Sequence, residues 1–133
     1  MNQNIEKTIN FVKQRLEGAE AGHDWFHIER VWKLSKKIAK NEKANTEIVE
    51  LAALLHDIAD PKFHDGDETL AIKISLEFLK SMDVEENIIN QVRYIIGNIS
   101  FKNRGQAPEI PSIELQIVQD ADRLDAIGAI GIA

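Results

Sequence analysis

The chain predicts an all-α fold, a compact helical bundle of about six helices, on three observations. Apolar residues recur at helical spacing almost everywhere, no segment reads as a convincing strand, and the three prolines (Pro61, Pro108 and Pro111) fall in or beside candidate loops. With 133 residues, 44% apolar and 29% charged, there is material for one domain with a modest core, and residues 1–133 read as a single unit.

The first helix is expected from about Asn2 to Glu17, because Ile5, Ile9, Val12 and Leu16 share one face and "EGAEAG" ends it. The second runs from about His23 to Asn41, with Ile28, Val31, Trp32, Ser35, Ile38 and Ala39 as its inward stripe. The third, about Thr46 to Ala59, has Asn45 as N-cap and Pro61 barring its continuation. Its apolar residues surround the axis, which predicts the central helix, with His56 and Asp57 in its last turn.

The loop "DPKFHDG" leads to a fourth helix, about Asp67 to Ser81, with Leu70, Ile74, Phe78 and Leu79 inward and Asp67 and Glu68 at its capping end. Asp83 and Glu86 have the spacing of a capping box, predicting a fifth helix that carries Ile88, Val92, Ile95 and Ile96. After the polar loop "SFKNRGQAPEIP", a sixth helix begins at Ser112 and continues through "DADRLDAIGAIGIA" to the last residue. The chain stops in mid-pattern without a cap or breaker, as a fragment of a longer protein would.

Charge and composition narrow the function classes. A formal net charge of −6 disfavours a groove for a nucleic-acid polymer, which needs many lysine and arginine contacts with phosphate. No apolar run exceeds Leu51–Leu55, and "MNQNIEKTIN" lacks the apolar core of a signal peptide, so a cytoplasmic protein without membrane partners is expected. The chain has no cysteine, so any metal must be held by histidine and carboxylate, which suits hard or borderline divalent ions.

The histidines are His23, His27, His56 and His64. His23 and His27 are spaced i, i+4 on one helical face, with Arg30 following on the same face. Alone this is a weak signal, since the metalloprotease form of the spacing needs a glutamate where Asp24 stands. His56 and Asp57 are more informative. Val49, Leu51 to Leu55 and Ile58 leave them little access to water, and an unpaired carboxylate there would cost several kcal/mol. Two compensations remain open at this point: a core salt bridge or hydrogen bond, or a divalent cation bound by both side chains. Asp122, with Val118, Ala126 and Ala129 at helical spacing, also lies on an apolar face, whereas Asp120 and Asp125 are expected to point elsewhere.

The order His27, His56-Asp57, Asp122, set in "GHDWFHIERV", "AALLHDIADPKF" and "QDADRLDAIGA", resembles the HD domain superfamily of metal-dependent phosphohydrolases, in particular its small stand-alone bacterial branch. The resemblance spans about residues 20 to 131. It implies a helical HD-domain-like fold whose core helices hold one divalent metal through His27, His56, Asp57 and Asp122, with Mn2+ or Fe2+ preferred and Mg2+, Ni2+, Co2+ or Zn2+ also compatible. It implies hydrolysis of a phosphate ester or anhydride, as in a nucleoside or deoxynucleoside triphosphate. Because "YIIGNISFKNRG" contains no histidine, one metal is expected rather than two.

Metal chemistry then calls for a base beside the attacking water, and Asp60, four residues after His56, is the candidate, matching an acidic residue in similar alarmone-cleaving enzymes. Phosphate contacts are expected from Arg30, Lys62 and His23. Arg30 could instead form a salt bridge with Asp24 or a neighbouring helix, and Lys62 and His64 could be plain loop residues. A non-catalytic metal- and nucleotide-binding sensor or scaffold is the alternative function, and a metal-free core ion pair the structural one.

Overall fold

The run that is apolar on all sides, Leu51 to Leu55, lies at the centre of the molecule with every residue at 0% exposure. In the computed structural model the described residues are 3–16, 25–58, 68–100 and 112–131. They form six helices: α1 (Gln3–Leu16), α2 (Trp25–Glu42), α3 (Thr46–Leu55), α4 (Glu68–Ser81), α5 (Glu86–Ser100) and α6 (Ile113–Gly131). No strand occurs among the described residues, so the fold is all-α.

α3 packs against α1, α2, α5 and α6, while α2 and α6 also pack on each other. The triangle α2–α3–α6 positions the site. Its inner surface is built from Ile28, Val31 and Trp32 of α2, from α3, and from Leu115, Val118 and Ala121 of α6. α4 leans on α5, and a stack of Phe11 on Phe78, with ring centroids 3.9 Å apart, joins it to α1. Burying this apolar surface is the main force that holds the helices together.

Polar details fix the helix ends. Asn45 Oδ1 accepts from Ile48 N at 3.2 Å, the N-cap expected for α3, and Ser112 Oγ accepts from Leu115 N at 3.1 Å, capping α6. Asn45 N donates to Glu114 Oε2 at 3.0 Å, tying the start of α6 to the start of α3. On α3, Glu50 is held by Trp32, whose Nε1 donates to its Oε1 at 3.0 Å.

Two boundaries differ from expectation. Asp83 does not open α5. Its φ of 57° closes α4: Asp83 N donates to Lys80 O, and Val84 N donates to Leu79 O. That bond pair, with both Leu79 and Val84 buried, is a Schellman ending. α5 begins instead with Ile89 N donating to Glu85 O. The α-helical part of α3 ends at Leu55 rather than Ala59, and His56 is its C-cap. Here the His56 ring donates from Nδ1 to Ala53 O at 2.6 Å, satisfying one of the carbonyls that a helix end leaves without a partner.

Several expectations lie outside the described residues: those on His23, Asp24, Ala59, Asp60, Pro61, Lys62, His64 and Asp67, and the extension of α6 to the last residue. The side chains of Leu70, Glu68, Ala126 and Ala129 also lie outside them.

Candidate metal centre

Each of the three helices of the triangle delivers side chains to one point. The apolar stripe of α2 turns His27 inward beside Ile28. The end of α3 supplies His56 and Asp57, and Asp122 follows Ala121 on α6. His27 Nε2 lies 3.5 Å from Asp57 Oδ2 and 3.6 Å from Asp122 Oδ1. His56 Nε2 lies 3.1 Å from Asp57 Oδ1 and 3.6 Å from the same Asp122 oxygen. His27, His56 and Asp57 offer donor atoms all within 4.8 Å of one another. The four residues singled out by their order in the chain are therefore brought together.

Burial is graded across the group: His56 is 3% exposed, while Asp57, Asp122 and His27 are 15, 19 and 20% exposed. His56 is thus the driest of the four, and the other three keep partial access to solvent. Burial pushes the His56 imidazole toward its neutral form, but the carboxylates of Asp57 and Asp122 outweigh it and hold its pKa well above the ordinary value.

Around this group the structure corrects one expectation. Asp125 does not point away. Its Oδ2 accepts from His27 Nδ1 at 2.6 Å, and its Oδ1 accepts from Arg30 Nε at 2.6 Å. Burial would raise the Asp125 carboxyl, but the hydrogen bonds from Arg30 and His27 keep its pKa below the ordinary value. The physical reason is helical spacing: Asp125 follows Asp122 by three residues, as Arg30 follows His27, so each pair shares a face. That repeated interval was the signal in the sequence. Arg30 thus makes the salt bridge to a neighbouring helix that was one of its two expected roles.

Set beside known proteins, the chain matches the HD domain family over residues 25–127. It belongs to that family. The chain is 43% identical over 131 residues to the uncharacterized protein YpgQ of Bacillus subtilis, spanning 96% of this chain and 62% of YpgQ. Among solved structures, an HD-superfamily hydrolase from Bacillus thuringiensis superposes with a TM-score of 0.79 at 45% identity, over 98% of this chain and 61% of that one. YpgQ in complex with ADP superposes with a TM-score of 0.78 at 37% identity, over 98% of this chain and 62% of that one. The chain therefore spans about three fifths of the length of these relatives. Among its described residues, no helix is long and apolar enough to cross a membrane.

Proposed function

We propose that the HD domain is a metal-dependent phosphohydrolase that cleaves a phosphate ester or anhydride of a nucleotide, such as a nucleoside or deoxynucleoside triphosphate. The observation that carries this reading is the convergence of two imidazole Nε2 atoms and two carboxylates from α2, α3 and α6. Their spacings of 3.1 to 3.6 Å suit a small divalent ion, whose neighbouring ligands at about 2.0–2.1 Å stand about 3 Å apart. The donor set of nitrogen and oxygen fits Mn2+ or Fe2+ held by His27, His56, Asp57 and Asp122. Such an ion supplies Lewis acidity toward water and charge neutralisation toward phosphate. The ADP bound by YpgQ supports a nucleotide as the phosphorylated ligand.

The chain's own residues do the rest. Because the Ala53 carbonyl can only accept, His56 carries a proton on Nδ1, and its neutral form presents the Nε2 lone pair to the centre. Asp57 and Asp122 bring negative charge that balances the cation. Asp60 orients the attacking water and takes its proton as the water oxygen bonds to phosphorus and the leaving oxygen departs. Arg30, Lys62 and His23 contact the phosphate oxygens; Arg30 is 56% exposed, leaving its charge accessible to solvent.

The test is a panel of nucleotides with added Mn2+, reading released phosphate and pyrophosphate separately. Turnover of at least one nucleotide is expected, and His56→Ala and Asp57→Ala should abolish it. Retained turnover in both variants removes the site assignment. Tight binding without turnover across the panel would mean that the protein is a nucleotide sensor or scaffold.

A further inference from the structure

Asp125 stands behind the four converging side chains rather than among them, with its own side chain only 9% exposed. Its two oxygens face three donor atoms on two side chains. Oδ2 faces His27 Nδ1 at 2.6 Å and Arg30 Nη2 at 3.5 Å, and Oδ1 faces Arg30 Nε at 2.6 Å. An ionised carboxylate only accepts, so the proton of this contact lies on His27 Nδ1. That leaves His27 Nε2, the atom turned toward Asp57 and Asp122, to act as the lone-pair donor. His56 has the same arrangement on the other side, with the Ala53 carbonyl in place of the carboxylate. Both rings are thus aimed by an acceptor on Nδ1, one from the backbone and one from Asp125.

We propose that Asp125 is a positioning residue for His27: it fixes the ring's orientation and tautomer for metal binding, and Arg30, three residues on along the same face of α2, pins the carboxylate in place. This rests on the reading of His27 as a metal ligand. Arg30 fixes the plane of the carboxylate by gripping both oxygens, so Asp125 stays on the Nδ1 side and does not swing into the centre. Carboxylates placed in this way behind a ligating histidine also raise its basicity toward the ion.

The test uses the full chain with Asp125→Ala and Asp125→Asn, checked for unchanged helix content by circular dichroism. Mn2+ affinity measured by calorimetry should fall about 10–100-fold in Asp125→Ala. Asp125→Asn keeps the volume but offers one acceptor oxygen where two donors need two, so it should lose affinity by an intermediate factor; it also carries the test should the alanine variant not fold. A second readout is the nitrogen-15 spectrum of the histidine rings in metal-free protein at alkaline pH. The parent should show His27 protonated on Nδ1, and the variants should shift toward the Nε2-protonated tautomer. Folded variants with the parent's Mn2+ affinity and tautomer overturn the proposal, provided that His27→Ala loses the metal. If His27→Ala binds Mn2+ like the parent, the metal-centre reading itself is what fails.

Discussion

Adding Mn2+ to the metal-free protein should raise its melting temperature by an amount that can be worked out beforehand. The four donors lie on three helices that meet only in the folded chain, so the ion binds the native state and has no comparable site in the unfolded one. At free metal about 100 times the dissociation constant, the stabilisation is about 2.7 kcal/mol. For a chain of 133 residues, 1 kcal/mol corresponds to about 3–5 °C, so the expected rise is about 8–13 °C. The assay is thermal unfolding followed by circular dichroism, with and without Mn2+, on the parent, His56→Ala and Asp57→Ala. Each variant serves as its own baseline, so any loss of stability from truncating a buried side chain cancels. The variants should show almost no rise. A parent protein indifferent to millimolar metal, or variants that respond as the parent does, would reduce the dyad to a core ion pair.

The same measurement should depend on pH with a definite sign. His56 has its pKa raised in the metal-free fold, so the proton-linked stability of that form is complete below the ordinary value of 6.5 and is lost as pH climbs through the raised one. Metal must displace this proton, so the metal-induced rise should widen as pH increases from about 6.5; a gap that narrows contradicts the assignment. Leu54→Ala, at a position with 0% exposure in the last turn of the central helix, should cost about 2–5 kcal/mol, read as a lower urea midpoint. Asp83→Gly should stabilise by roughly 0.5 kcal/mol, since glycine adopts the φ of 57° without strain but loses more freedom on folding. A lower urea midpoint for that variant would show that the Asp83 side chain contributes more than its backbone strain costs.

The sequence made the architecture legible where burial alone decides the outcome. The all-round apolar character of Val49 and Leu51 to Leu55 predicted a central helix, and it is central. The stripe through Val118 likewise placed Asp122 inward, toward both histidines. What escaped were choices between two local hydrogen-bonding schemes. The interval from Asp83 to Glu86 fits a capping box, but the apolar pair Leu79 and Val84 favours a left-handed residue at Asp83. The end of α3 depends on which donor reaches the Ala53 carbonyl, and a ring nitrogen three residues on is not visible as a pattern. Asp125 was missed because its partners are 95 and 98 residues away, although its spacing from Asp122 already placed it on the same face.

That separation has a consequence for how the protein is made. Synthesis runs from the N-terminus at about 5–20 residues per second, so His27 leaves the ribosome roughly 5–20 s before Asp125, 98 residues later, can reach it. During that interval α1, α2 and α3 can gather their apolar faces, but the carboxylate that meets His27 Nδ1 has yet to be translated. A nascent chain therefore cannot hold the ion with its final geometry, however well its first helices have packed. On the proposed metal-centre reading, metal capture would be a late event in biogenesis.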